Sequence, residues 1–281
     1  MLLRLLSSSL GRSQAARELR WMQQARDSGA SCLSLEDMVN RRLTGEPLQY
    51  ILGTQPFGPL NLLTRPPVLI PRPETENWVI KLAETLSPTP SKPVTLLDLG
   101  TGSGCIPLLL CHLWPPGSIN AHAVDVSTHA LRLAEDNAKL CGFPSRSSEE
   151  KPHNTFSSHK ANFLAQDFSQ VASRINPAFD IITSNPPYIP FDEYLKLSPS
   201  VLNFEDPKAL FGGPSGLEFY HAIARLVSSK DILRPDAMVA LEVGHNQARS
   251  VESIMRATGR FRLTEIWLDP WGKQRTVIAH V

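Results

Sequence analysis

The sequence predicts an α/β protein: a seven-stranded, mostly parallel sheet, preceded by a small helical segment and a linking β-hairpin. Three observations predict it. From Val94 onward, apolar strand-like runs alternate with helical periodicity to the C-terminus. The first of these runs ends in Gly100-Thr101-Gly102-Ser103-Gly104, a turn that opens a helix. A later run, Phe179–Ser184, stops at Asn185-Pro186-Pro187-Tyr188. Two adjacent prolines cannot extend a central strand, because neither supplies a backbone N–H.

The 281 residues suffice for one large α/β domain and a small appendage. With 42% hydrophobic and 20% charged residues the composition is that of an ordinary soluble globular chain. A formal net charge of +1 argues against a broad nucleic-acid-binding surface. Cys32, Cys105, Cys111 and Cys141 show no C-x-x-C spacing and no nearby histidine, so no metal site is expected and the four are read as reduced thiols. No apolar stretch reaches the length of a membrane span.

Residues 1–45 read as helical. Met1–Arg17 has no acid, three consecutive serines, and Arg4, Arg12 and Arg17. That composition fits a mitochondrial presequence and equally the first helix of a small domain; the two can overlap. A mitochondrial location is expected, with the cytoplasm as the alternative. A turn falls at Ser28-Gly29, and a second helix runs from Ser34, a plausible N-cap, to Leu43. Gly45-Glu46-Pro47 ends it. Residues 46–75 read as a linker of short strands around turns, including Tyr50-Ile51-Leu52-Gly53. Pro73 suits the first position of a helix reaching about residue 86. The main domain then spans 76–281, with strands expected near 94–99, 119–125, 161–166, 179–184, 237–243, 262–268 and 274–280. Helices are expected near 104–114, 127–141, 216–231 and 246–257. The Ser-, Lys- and Glu-rich stretch Pro144–His159 reads as a surface loop.

Chemistry gathers at consecutive strand ends. The first strand ends in Asp98-Leu99 and the glycine turn; Gly100, Gly102 and Gly104 let the backbone approach a ligand where a Cβ would clash, and the helix beyond offers unpaired N–H groups. A dinucleotide fingerprint does not fit, because Cys105 stands where G-x-G-x-x-G needs its last residue. Asp125, ending the second strand, can accept from both hydroxyls of a ribose, or merely cap the helix after Ser127. Asp167-Phe168, placed at the third strand end, offers an acceptor and a ring for an adenine, or a turn residue and a core residue. Asn185 follows at the fourth.

The motifs are Arg41-Arg42-Leu43-Thr44-Gly45-Glu46-Pro47-Leu48-Gln49-Tyr50, Pro71-Arg72-Pro73-Glu74-Thr75-Glu76, Asp98–Gly104, Asn185–Tyr188 and Phe204-Glu205-Asp206-Pro207. Together they resemble the S-adenosylmethionine-dependent methyltransferases with a Rossmann-like sheet, and more narrowly the HemK/PrmC family of glutamine-N5 methyltransferases that modify peptide-chain release factors. The resemblance runs from about residue 41 to the C-terminus. It implies S-adenosylmethionine as cofactor, held by Asp98, Gly100, Thr101, Gly102, Ser103, Gly104, Asp125, Asp167, Phe168, Asn185 and Arg72. It implies as partner the Gly-Gly-Gln loop of a release factor, met by Asn185, Pro186, Pro187, Tyr188 and Glu205. A monomer is expected, without membrane or direct nucleic-acid binding. Two departures stand out: the segment before Arg41 is shorter than the family leads one to expect, and the Pro144–His159 stretch is an insertion.

An amide nitrogen is a poor nucleophile, its lone pair being delocalised into the carbonyl. The Asn185 side-chain carbonyl and the Pro186 backbone carbonyl are two acceptors that can hold an NH₂ group and stabilise charge developing on it. Pro187 stiffens the loop, and Tyr188 can pack its ring against a flat amide. No general base is required, since the proton becomes acidic only as the methyl arrives. Arg72, held between prolines, can reach the cofactor carboxylate or the substrate, or form a surface ion pair. Glu205 can line the substrate entrance or act in a turn. The same acceptors suit the exocyclic amine of adenine, which is the alternative chemistry. A non-catalytic adapter with a retained fold is the alternative from another class.

Overall fold

The computed structural model describes residues 1–29, 31–145 and 152–281. The N-terminal run forms two helices, α1 (Leu2–Leu10) and α2 (Arg12–Asp27), because Gly11 sits at φ 77° and breaks the turn between them. Helix α3 (Leu35–Leu43) starts at Ser34, whose Oγ accepts the Asp37 N–H at 3.0 Å. Residues Tyr50–Leu52, expected as a strand, lie instead in helix α4 (Leu48–Leu52). The reason is packing: Leu48 and Ile51 close a core made by Leu6, Ala15, Met22, Met38 and Val39. Inside this helical unit Glu18 is buried and takes the Arg42 guanidinium at 2.6 Å, and Arg41 pairs with Glu46.

Strands β1 (Thr54–Phe57) and β2 (Leu60–Leu63) form the expected hairpin. Phe57 and Leu62 reach into the main core rather than the helical one. Helix α5 (Pro73–Thr85) begins with Pro73 in its first turn and carries Glu74 and Glu76 there.

The main domain alternates from there: β3 (Val94–Leu99), α6 (Cys105–Leu113), β4 (Ile119–Asp125), α7 (Thr128–Leu140), β5 (Thr155–Lys160), α8 (Phe168–Ile175) and β6 (Phe179–Ser184). Three one-turn helices follow, α9 (Phe191–Tyr194), α10 (Pro199–Leu202) and α11 (Pro207–Leu210), then α12 (Glu218–Ser228), β7 (Leu233–Glu242), α13 (Ala248–Ala257), β8 (Leu263–Leu268) and β9 (Gln274–His280). The sheet runs β5-β4-β3-β6-β7-β9-β8. β9 alone is reversed, pairing antiparallel with β7 and β8, while the other pairs are parallel. The pleat sends Leu96 and Ile181 into one core and Leu97 and Ile182 into the other, so both faces are covered.

The third strand lies earlier than the sequence predicts: it is Thr155–Lys160, not 161–166. Edge strand β5 pairs with β4 alone, so it needs little apolar surface, and Thr-Phe-Ser-Ser-His-Lys carries none of the continuous apolar run that marks the inner strands. Part of the expected Pro144–His159 loop is therefore strand, and residues 146–151 lie outside the described residues. The chain goes from β3 to β4 on one side and resumes at β6 on the other. That reversal places a crevice at the C-terminal ends of β3 and β6.

Candidate active site

A cavity of about 580 Å³ opens at those strand ends. Gly100, Gly102, Asp125, Asn162, Phe163, Asn185 and Pro187 line it, together with Val68, Phe191, Tyr194 and Phe211. Its wall is thus apolar with a few converging polar groups.

The glycine turn is tied to the second strand. The N–H groups of Gly100 and Thr101 both donate to the Val124 carbonyl, at 2.8 and 3.0 Å. Gly102, at φ 56°, then donates its N–H to Asp125 Oδ2 at 2.9 Å, a backbone angle that a side chain would strain. Asp125 Oδ1 accepts from the Ser127 N–H at 2.8 Å. Each carboxylate oxygen keeps a further lone pair for a ligand. Burial raises the Asp125 carboxyl above its ordinary value, and the N–H groups of Ser127 and Gly102 oppose that rise.

Asp98 lies beneath the turn, fully buried. Its Oδ1 accepts from the Thr183 hydroxyl at 2.7 Å, which joins β3 to β6. Its Oδ2 and the Thr101 hydroxyl are both buried and make no well-formed hydrogen bond among the described residues, although Thr101, like Thr183, helps to hold the Asp98 charge. Burial pushes the carboxyl up to about 6, with the charge of Asp125 adding to the effect. Thr101, Ser103 and Gly104 shape the turn without lining the cavity.

Asn185 reaches the cavity from the end of β6. Its Nδ2 donates to Thr75 Oγ1 at 3.2 Å. The next residues are wedged in place. Gln247 Nε2 donates to the Tyr188 carbonyl at 2.9 Å, and Gln247 Oε1 accepts the Gly244 N–H at 3.0 Å. Ile189 and Gly212 bond each other's strand-like segment, with the Gly212 N–H on the Ile189 carbonyl at 2.9 Å. A Cβ on Gly212 would stand 2.7 Å from the Pro187 carbonyl oxygen, so the approach requires glycine.

Several expected residues lie elsewhere. Asp167 is exposed at the start of α8, and Phe168 is buried in the core; neither touches the cavity. The shift of the third strand is the cause: its end presents Asn162 and Phe163 instead. Tyr188 turns away from the cavity and packs against the core beneath α12 and β7, where burial raises its phenol above the ordinary range. Pro186 is buried and Pro187 lines the wall. Arg72 and Glu205 meet each other rather than a ligand: the Arg72 Nη2 reaches both Glu205 oxygens at 2.7 Å. The Glu205 carboxylate is buried, and its partner opposes the rise that burial imposes on it. Among the described residues no cluster of His, Cys, Asp and Glu could hold a metal ion, and no helix is long and apolar enough to cross a membrane.

Sequence reasoning did not assign a role to Asn162, Phe163, Thr75, Glu242 or Gln247. Thr75 lay within a motif already singled out, and Glu242 ends a strand as the other candidates do.

Comparison with known proteins decides the family. The family model for the PrmC N-terminal domain matches residues 4–53, the helical unit. The release factor glutamine methyltransferase of Moorella thermoacetica is 36% identical over 242 residues, 86% of this chain and 77% of that protein. The chain belongs to the release factor glutamine methyltransferase family. A second member, from Nitratidesulfovibrio vulgaris, is 34% identical over 89% of this chain and 78% of its own length. Among solved structures, the hMettl16 catalytic domain in complex with the MAT2A 3'UTR hairpin 6 matches at TM-score 0.55 and 18% identity, covering 86% of this chain and 81% of that one. A methyltransferase from Pyrococcus furiosus matches at TM-score 0.52 and 16% identity, over 79% and 88%. These two share the fold, and the sheet is that of the Rossmann-like methyltransferases that the family and the strand order both imply.

Proposed function

We propose that this family member transfers a methyl group from S-adenosylmethionine to the side-chain amide nitrogen of the glutamine in a release factor's Gly-Gly-Gln loop. The observation that carries the reading is Asn185. It stands on the cavity wall with its amide nitrogen engaged by Thr75, and no hydrogen bond engages its carbonyl oxygen among the described residues.

The residues fit the cofactor. The positive-φ glycines bring backbone to the cavity without side chains. Asp125 has acceptor capacity for two ribose hydroxyls, and Asn162 and Phe163 take the place first given to Asp167 and Phe168, offering a polar group and a ring to adenine. When bound, S-adenosylmethionine supplies an electrophilic sulfonium methyl. The chain's own part is positional: Asn185 Oδ1, on the cavity wall, accepts an amide N–H of the substrate, turning its nitrogen toward the methyl and stabilising positive charge as it develops, whereas Pro186, expected as the second acceptor, is buried and does not line the cavity. Pro187 holds that wall rigid. The released proton passes to water.

The test sets protein against nucleic acid. Purified enzyme with labelled cofactor is offered a release factor and, separately, duplex DNA. Label in the release factor supports the reading; label in DNA alone contradicts it and favours the adenine chemistry. The proposed location is the mitochondrion, supported by the acid-free, Arg- and Ser-bearing Met1–Arg17; a full-length fluorescent fusion confined to the cytosol would refute it.

A further inference from the structure

A side-chain amide can point either arm at a substrate, and the two arms are opposite in chemistry: the carbonyl accepts, the NH₂ donates. For Asn185 only one choice can hold a substrate N–H, and something must enforce it. Among the described residues, the hydrogen bond that engages the Asn185 side chain runs to Thr75, behind the cavity wall.

Behind the wall lies a short chain of polar groups. Asn185 Nδ2 donates to Thr75 Oγ1 at 3.2 Å, and Thr75 Oγ1 donates to Glu242 Oε2 at 2.6 Å. The same Oε2 accepts from Trp78 Nε1 at 2.9 Å. Thr75 and Trp78 come from one face of α5, Glu242 from the end of β7, and Asn185 from the end of β6. Thr75 is 1% and Glu242 1% exposed, so water does not compete for these bonds. An indole N–H can only donate, which makes Oε2 an acceptor. Burial raises the Glu242 carboxyl above its ordinary value, and the hydrogen bonds from Thr75 and Trp78, then the charge of Arg275, oppose that rise. With the carboxylate taking the Thr75 proton, the Thr75 oxygen has only acceptor capacity left toward Asn185. It can take the NH₂ arm and repels the carbonyl arm.

We propose that Thr75, oriented by the buried Glu242, is a positioning residue that locks the Asn185 amide so that its carbonyl faces the methyl-transfer site. The consequence rests on the function proposed above; the lock itself does not. Thr75 touches no substrate and no cofactor, since it does not line the cavity. Its effect reaches the reaction through one hydrogen bond.

The experiment reads the lock and its consequence separately. In ¹⁵N-labelled wild-type protein, one Asn185 Nδ2 proton should exchange slowly with water and shift when Thr75 is replaced by Val; Thr75→Ser should restore both. With a release factor as substrate, Thr75→Val should lower kcat about 10- to 100-fold, with cofactor affinity and KM within about threefold, because a misplaced acceptor harms the transition state more than binding. Thr75→Ser should recover most of kcat. A merely structural threonine would change stability but would leave the Asn185 resonances and the kcat-against-KM split unmoved. Free-amide exchange at Asn185 in the wild type, or Thr75→Val with kcat within twofold of wild type, overturns the proposal. Failure of the wild type to methylate a release factor would sink the function instead, and the exchange measurement would still judge the lock.

Discussion

Asn185 and Asp125 line the same cavity but hold different things, so their loss should look different. Asn185→Ala removes an acceptor from the reacting nitrogen. It should lower kcat about 10²- to 10³-fold, by analogy with deletion of one preorganised group around developing charge, and leave cofactor affinity within a few-fold. Asp125→Ala removes the acceptors for the ribose and should weaken cofactor binding by about 1.5–3 kcal/mol, the range for hydrogen bonds to charged groups. Titration calorimetry and steady-state kinetics separate the two; matching profiles would refute the division of roles. Asp98 carries a pH signature. Burial pushes its folded carboxyl up to about 6, well above the ordinary aspartate range. A raised folded value means that its contribution to stability is complete below the unfolded value and is lost as pH rises through 6. From pH 5 to pH 7 the wild type should therefore lose on the order of 1 kcal/mol through this group, a loss that Asp98→Asn abolishes. Urea denaturation at both pH values measures it, and an unchanged difference in the variant would contradict the assignment. At this scale much was legible. Asn185, Asp125 and the glycine turn declare themselves because a strand end, a turn and an unusual dipeptide are local features. The Thr75–Glu242 contact was not, because its partners are 167 positions apart and each looks ordinary alone.

The elements explain what local reading misplaced. Strand β5 lies at the sheet edge, where one bonded neighbour and a half-exposed surface relax the demand for apolar residues. Its polarity made it look like loop, and the error moved the expected adenine contacts from Asn162-Phe163 to Asp167-Phe168. Helix α4 shows the converse case, in which a core decides a five-residue segment that propensity leaves open. The tetrapeptide after β6 is held by elements far along the chain: the turn before α12 and the loop after β7. Gly212→Ala would force a Cβ to within 2.7 Å of the Pro187 carbonyl oxygen and the Tyr188 Cα. It should cost about 1–3 kcal/mol of stability, as overpacking does, and should lower kcat more than cofactor affinity, because the displaced wall is the one carrying Asn185. Thermal melts with kinetics test it; a variant with wild-type kcat would show that the wedge has no part in placing Asn185.

The whole molecule brings three parts to one crevice. The sheet supplies the strand ends. Helix α5, reached through the hairpin, supplies Thr75 and Trp78 behind Asn185. The loop after β6 is fastened to the segment before α5 by Arg72 on the buried Glu205, so that two motifs first singled out as possible ligand contacts act on each other. Their pairing could not be read from the sequence, since either charge alone suits a surface or a substrate. The helical unit formed by α1 to α4 has its own core and matches the family's N-terminal domain. The fold class and the cofactor loop followed from pattern; the order of the strands in the sheet and the closure of the site followed only from how distant segments pack. The most direct test of the whole account is fragment mass spectrometry of a release factor after incubation with the enzyme and S-adenosylmethionine. One added methyl group is expected on the side chain of the Gly-Gly-Gln glutamine, absent when the enzyme carries Asn185→Ala. A methyl group on another residue, or an equal yield with Asn185→Ala, would contradict it.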